Sequence, residues 1–333
     1  MELGLSTIGM KLTPETLRRV AGRAETLGYD SIWTSEGWGA DAFTPLAYLA
    51  ACTSRVRLGT AIAQIAARTP GATAMTALTL QQLSGGRLVL GLGVSGPQVV
   101  EGWHGVPFRR PLAATRDYVA ILRKALAADA RVEHDGEVYS VPYKGPDGSG
   151  VGRALRSTMP GASETPILIA ALGPRNTALA VDVADGLLPY LWSPHHWERA
   201  WGEAVASAPE GFHIAPMVIA AMGDDLAACR DEVRPRIALH VGGMGTKDKN
   251  FYKSLVDRYG YEAEATMIQD RFLAGDRDGA IAAVSDALVD DLALVGPPGH
   301  VAEQLIAWRR CPIGTLIVEP TREDAIEQLA ALW

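Results

Sequence analysis

The chain has little that would fix a small secreted or metal-held fold. Its 333 residues include three cysteines, Cys52, Cys229 and Cys311, far apart and with no Cys-x-x-Cys pair. They offer no disulfide framework and suit a reducing compartment. The seven histidines form no His-x-x-x-His or His-Glu-x-x-His pattern, so no metal site is expected. No apolar run approaches the ~18 residues of a membrane span, so no membrane partner is expected. There is no Gly-x-Ser-x-Gly elbow, and no cysteine lies in a thiol-hydrolase signature. The charge excess is modest, 31 basic against 38 acidic residues for a net −7. No basic stripe with interleaved aromatics is present, which argues against nucleic acid as a partner. Leu3-Gly4-Leu5-Ser6 reads as a strand, with no basic-then-apolar leader before it, so a cytoplasmic protein is the expectation.

What the chain does have is alternation. Val56 to Ile62 reads as a buried strand, and Pro70 to Leu83 as a helix with Thr69 as N-cap and Pro70 in its first turn. Gly85-Gly86 stops that helix, and Arg87 to Gly91 returns as a second buried strand. Further strands are expected at Glu2 to Ser6, Ser31 to Thr34, Pro166 to Ala170, Gly186 to Leu188, His213 to Ala221 and Ile313 to Glu319. Helical patterns start at Thr13-Pro14 and near Thr44-Pro45, run from Pro111 to Ala128, follow Gly173 to about Val183, and start again at Asp225. Gly279 to Leu288, His300 to Arg310 and Arg322 to Leu332 complete the series.

Eight strands alternating with helices predict an α/β fold, a (β/α)8 TIM barrel with inserted segments, and 48% hydrophobic residues suffice for its core. The rhythm breaks at about 131–163, with a hairpin expected around Asp135-Gly136 and a surface loop from Gly145 to Gly152. It breaks again at about 241–277, read as a helical excursion. Both are expected as insertions in one domain covering 1–333. A barrel of this kind carries its site at the C-terminal ends of the strands.

Several residues stand at those ends. Gly91-Leu92-Gly93-Val94-Ser95-Gly96 spells G-x-G-x-x-G. It follows the fourth strand, lacks an acidic strand end ~20 residues on, and is followed by Pro97 and Trp103 rather than by an immediate helix, so a Rossmann reading is disfavoured. The glycines still let backbone approach a ligand at Gly93, Val94 and Ser95. Leu172-Gly173-Pro174-Arg175 joins a strand to a helix; it is either a plain turn or a phosphate cradle with a helix N-terminus and a cation. Glu36, after the second strand, is either a general acid/base or a solvated loop carboxylate, and Glu319 poses the same choice. Trp38 has the bulk to dry the surroundings of Glu36. His104 either faces a ligand or is structural.

These segments converge on one family. LGTAIAQIAARTP followed by LQQLSGGRLVLGLGVSGP resembles the bacterial luciferase-like superfamily, and within it the branch that uses the deazaflavin coenzyme F-420, which includes methylenetetrahydromethanopterin reductase. DSIWTSEGWGADAFTPLAYLAA, VGGMGTKDKNFY and YGYEAEA are similar to further parts of that branch, so the resemblance runs nearly end to end. It implies a barrel with coenzyme F-420 at the strand ends, a homodimer and a small-molecule substrate. It also implies a non-prolyl cis peptide matching Ala61–Ile62 behind the deazaflavin ring. The phosphate turn would be Ala171, Leu172, Gly173, Pro174 and Arg175. Glu36 matches the catalytic position after the second strand, where Glu36-Gly37 departs from a common Asp-His. His240 stands where an aromatic residue is expected beside the substrate. The expected activity is hydride transfer between the coenzyme's C5 and a C=C, C=N or C=O bond. The alternatives are an FMN-dependent monooxygenase and a non-catalytic deazaflavin-binding protein.

Overall fold

The computed structural model describes residues 1–333. Strands β1 (Glu2–Ser6), β2 (Ser31–Thr34) and β3 (Arg57–Thr60) alternate with helices α1 (Pro14–Thr26), α2 (Phe43–Cys52) and α3 (Pro70–Ser84). The caps are those the sequence calls for. Thr13 Oγ1 accepts the Thr16 N–H, Thr69 Oγ1 accepts the Ala72 N–H, and Gly85 ends α3 at a φ of 67°. Asp41 Oδ1 accepts the N–H groups of Phe43 and Thr44 where α2 begins. The two-residue strand β4 (Ala63–Gln64) follows β3 and pairs with β5 (Leu88–Gly93).

After α4 (Pro97–Gly102) and α5 (Pro111–Ala127) comes the expected hairpin, β6 (His134–Asp135) antiparallel to β7 (Ser140–Val141). Strands β8 (Ile167–Ile169) and β9 (Gly186–Leu187) flank α6 (Pro174–Val183), and α7 (Trp197–Ala206) leads to β10 (His213–Ile214) and β11 (Met217–Met222). Beyond α8 (Leu226–Ala238) lie α9 (Phe251–Tyr259), α10 (Glu262–Leu273), α11 (Arg277–Ala282) and α12 (Asp286–Leu292). Strand β12 (Ala293–Gly296), α13 (Pro298–Trp308), β13 (Thr315–Pro320) and α14 (Ala325–Leu332) complete the chain.

The ring runs β1-β2-β3-β5-β8-β9-β10, and closes because β10 continues into β11, which pairs with β13, which pairs with β1. All these pairs are parallel, which gives the expected barrel. Strand β12 is extra. It pairs with the upper half of β11, from Ile219 to Met222, above the Tyr190–Met217 bridge that is the last contact from the β9 side.

Three expectations need correction. Gly279 to Leu288 is not one helix: Ser285 Oγ accepts the Leu288 N–H and starts α12 separately from α11. The glycine motif is followed at once by a helix, the six-residue α4, because Pro97 is favoured in a first turn and the Gly96 carbonyl accepts from Val99 and Val100. The strand read as Val56 to Ile62 ends at Thr60 and bends at a cis Ala61–Ile62 bond before β4.

Seven buried side chains, Trp33, Val89, Leu168, Leu188, Ala215, Met217 and Ile317, fill the barrel interior. They are separate from the larger core between sheet and helices. Trp33 is the largest of them, and its Nε1 donates to Ser31 Oγ at 2.8 Å. Neighbouring strands make room for it. A Cβ on Gly59 would fall 2.1 Å from the indole, and one on Gly4 would fall 2.8 Å from Nε1. At the N-terminal end, Thr315 Oγ1 donates to Glu2 at 2.8 Å and contacts His213 Nε2 at 2.9 Å, while Arg57 pairs with Glu2.

Gly59→Ala is therefore expected to overpack the interior and lower stability by about 1–3 kcal/mol. Combining it with Trp33→Leu should recover part of that loss, a coupling that denaturant unfolding of the two single variants and the double variant will measure. Equal midpoints for wild type and Gly59→Ala would show that the indole is not wedged over Gly59.

Candidate active site

The C-terminal mouth of the barrel is built around the junction of β3 and β5. Thr60 Oγ1 donates to the Gly91 carbonyl at 2.7 Å and accepts the Gly91 N–H at 2.9 Å. A Cβ on Gly91 would lie 1.9 Å from the Thr60 carbonyl oxygen. Two residues on, a Cβ on Gly93 would lie 2.6 Å from Ile62 Cδ1 and 3.4 Å from the Ala170 Cβ. The first two glycines of the motif thus admit the β3 end and the side chain of Ile62. Ala61, Ile62 and Ala170 all pack on the top of the barrel interior. Beyond Gly93 the chain turns through Val94 and Ser95, the latter at a φ of 58°.

Glu36 sits against this bulge. Its N–H donates to the Ile62 carbonyl at 3.0 Å, and its Oε2 accepts the Gln64 N–H at 2.8 Å. The Gln64 side-chain amide donates to the carbonyls of Glu36 (3.1 Å) and Gly37 (2.8 Å), and its Oε1 meets His104 Nε2 at 3.2 Å. Gln64 is buried and is a site residue that the sequence reading passed over. Its signal was a polar side chain inside the otherwise apolar run after β3. Glu36 and His104 share the lining of a cleft of about 350 Å³ with Asp41, Arg68 and Trp103. Trp38 does not shield Glu36: it is 56% exposed, on a loop of glycines.

The turn after β8 opens α6. Gly173 is its N-cap and Pro174 lies in its first turn, no side chain caps it, and a Cβ on Gly173 would meet nothing. Its first N–H groups are therefore available to an anion. Arg175 is exposed beside them, Ala171 is buried beneath, and Arg258 of α9 donates to the Leu172 carbonyl. Arg258 lies 83 positions from Arg175 in sequence, and only the fold brings it to the turn.

A second polar group faces the mouth from the opposite wall. Ile317 points into the barrel, so Glu319, two residues on along β13, points the same way. Glu319 is buried, and its Oε1 pairs with the Arg236 guanidinium at 2.7 Å. Burial raises its carboxyl above the usual range, and the adjacent guanidinium opposes that shift. Tyr190, after β9, packs on the barrel interior alongside Ala61 and Ile62, which puts it at the same mouth.

His240 packs against Tyr190 in a tilted contact and against Tyr252 edge to face, with ring centroids 4.8 Å from each. Its Nδ1 donates to the Arg236 carbonyl at 2.8 Å, which sets the tautomer. Burial pushes its pKa down to about 4 and that of Tyr252 up to about 12. Both rings are neutral at neutral pH. Apart from Trp38, the sequence-expected residues thus fall into four groups on one mouth: the Ala61–Ile62 bend with Gly93, Val94 and Ser95, Glu36 with His104, the Gly173 turn, and Glu319 with His240.

Unfolded His240 takes up its proton near 6.5, the folded ring only near 4. Between those values the unfolded chain binds more protons, so this contribution to stability is present above ~6.5 and is lost as the pH falls. Glu319, shifted upward, works in the opposite sense, so the comparison must be against His240→Phe, which keeps a ring but cannot titrate. Wild type is expected to lose about 1–3 kcal/mol more than this variant between pH ~6.5 and ~4.5. Denaturant unfolding across that range measures it, and parallel curves would mean that the ring is hydrated.

The chain resembles known proteins in both sequence and fold. The luciferase-like monooxygenase profile matches residues 3–315. A Mycobacterium tuberculosis protein, named provisionally as a coenzyme F-420-dependent oxidoreductase, is 39% identical with full coverage of both chains. The 5,10-methylenetetrahydromethanopterin reductase of Methanolobus tindarius is 26% identical over 96% of this chain and 97% of its own. Among solved structures, the coenzyme F-420-dependent tetrahydromethanopterin reductase of Methanopyrus kandleri superposes with a TM-score of 0.80 at 20% identity, covering 99% of this chain and 97% of that one. The fold, the full-length relatives and the extent of the profile match agree, and the chain belongs to the luciferase-like monooxygenase family.

Proposed function

We propose that this protein is a coenzyme F-420-dependent oxidoreductase that transfers a hydride between the deazaflavin C5 and a small organic substrate. The observation that carries the reading is the open, uncapped start of α6 at Gly173, with Arg175 beside it, on the same barrel mouth as the Ile62–Gly93 contact. It is supported by the 39% identical full-length relative named for that coenzyme. When bound, the coenzyme supplies the two-electron chemistry. The rest is placement by the chain. The α6 N–H groups and Arg175 hold a phosphate, and Ala61 and Ile62 back the ring system. Gly93, Val94 and Ser95 shape the adjoining wall. Glu36 and Gln64 brace the Ala61–Ile62 segment. The family resemblance further suggests a cytoplasmic homodimer, and no helix is long and apolar enough to cross a membrane.

Fluorescence titration is expected to give tight binding of coenzyme F-420 and much weaker binding of FMN. Arg175→Ala should weaken the deazaflavin by about ten- to a hundredfold, the loss of one charge-assisted contact. Preference for FMN would replace this reading with that of a flavin monooxygenase, and an unchanged Arg175→Ala affinity would move the phosphate elsewhere.

Glu36→Gln can still accept the Gln64 N–H, so turnover is expected within about tenfold of wild type, whereas Glu36→Ala frees Gln64 and weakens coenzyme binding. Anaerobic hydride transfer and the same titration read both effects. A loss of roughly 10²–10⁴ in Glu36→Gln, with binding intact, would make Glu36 the general acid instead.

A further inference from the structure

On the wall opposite the Thr60–Gly91 contact, the Tyr190 hydroxyl and Glu319 Oε2 are buried without a hydrogen-bond partner. A folded protein seldom leaves such groups unmatched, and where it does they commonly await a ligand. Arg236 lies beside both; it bonds Glu319 through Oε1, fixing the carboxylate and leaving Oε2 free, and because a guanidinium only donates, its approach to the Tyr190 oxygen leaves the phenolic proton unused. His240 commits its Nδ1 to the Arg236 carbonyl, and the rings of Tyr252 and Tyr190 meet edge to face. These groups, from α8, the turn after it and α9, are the titratable and charged neighbours on the helical side. We propose that Tyr190 and Glu319 form the subsite for the oxygen of a ketone or secondary alcohol, with Glu319 Oε2 exchanging the proton of the reaction. This rests on the hydride-transfer reading above.

The choice of ligand follows from lone pairs. A carbonyl oxygen has two, and accepts from the Tyr190 O–H and from a protonated Glu319 together. An alcohol oxygen accepts from Tyr190 and donates its own hydrogen to ionised Glu319. The same two atoms thus fit both ends of the couple. An imine nitrogen has one lone pair and serves only one of them, and a C=C bond offers neither. Burial keeps Tyr190 protonated, so it acts as a fixed donor. In reduction, the carbonyl carbon gains the hydride supplied by the reduced coenzyme. The carbonyl π pair becomes an oxygen lone pair, and that oxygen takes the proton from Glu319 Oε2. The substrate is reduced by two electrons and the coenzyme oxidised by two. Oxidation of the alcohol reverses each transfer.

The test uses the coenzyme-loaded protein under anaerobic conditions with cyclohexanone and other aliphatic ketones, a cyclic imine and cyclohexenone. Reduction of ketones, and of neither C=N nor C=C bonds, is expected. Tyr190→Phe should lower ketone kcat/KM by about ten- to a hundredfold. Glu319→Gln should lower kcat by about a hundredfold or more and remove one limb of the pH profile. Both variants should keep the wild-type coenzyme affinity. Tyr190→Phe should also melt close to the wild-type temperature, because it removes a buried hydroxyl whose proton has no acceptor. The proposal is overturned if no ketone is reduced, if either variant works at the wild-type rate, or if Tyr190→Phe melts well below wild type, the mark of a structural hydroxyl. Failure of wild type to bind the coenzyme would instead overturn the parent reading.

Discussion

The close contact of Thr60 with Gly91 is the constraint on which the barrel mouth depends. One hydroxyl bonds both the carbonyl and the N–H of a single glycine, and only the missing side chain allows that approach. The ends of β3 and β5 are thereby locked together. The chain leaving β3 must bend over β5, which puts Ile62 on Gly93 and Gln64 within reach of Glu36. The apolar wall at Ala61 and Ile62 and the hydrogen-bonded cluster beside it are two results of one packing event. The pattern of glycines that suggests a dinucleotide loop is explained by strand packing, with the ligand-facing consequence one step removed.

The opposite wall obeys electrostatics. A carboxylate there is buried and paired on one oxygen only, and the nearby imidazole is kept neutral by its surroundings. On this wall the rings are uncharged and the one carboxylate is paired, while the cations at Arg175 and Arg258 lie by the α6 turn. The uncapped start of α6 with its exposed arginine and the unpartnered atoms of Tyr190 and Glu319 thus lie on different walls.

Much of this was legible from local chemistry. The caps at Thr13, Thr69 and Asp225, the glycine stop at Gly85 and the short apolar runs gave the ring of strands, because each depends on neighbours a few residues away. Strand β12 escaped because it follows α12 without a break and its apolar run merges with the helix's, and α7 because neither a capping side chain nor a first-turn proline marks its start. Gln64 was invisible for another reason. Its partners, Glu36, Gly37 and His104, lie 27 to 40 positions away, and only the folded ring assembles them. The exposure of Trp38 was likewise unreadable, since bulk alone does not tell which way a loop side chain turns.

The partner change along β10 and β11 has a consequence for how such a protein diversifies. Above Met217 the ladder between β9 and its neighbour stops, and β12 occupies the vacated edge. The wall carries a seam there, bordered by Tyr190 and fed by the helices that follow α8. Substitutions along the seam can remodel what enters from that side without disturbing the Thr60–Gly91 lock across the barrel. Under the proposed function, substrate selectivity and coenzyme retention then fall on different arcs of one cylinder, free to evolve at different rates.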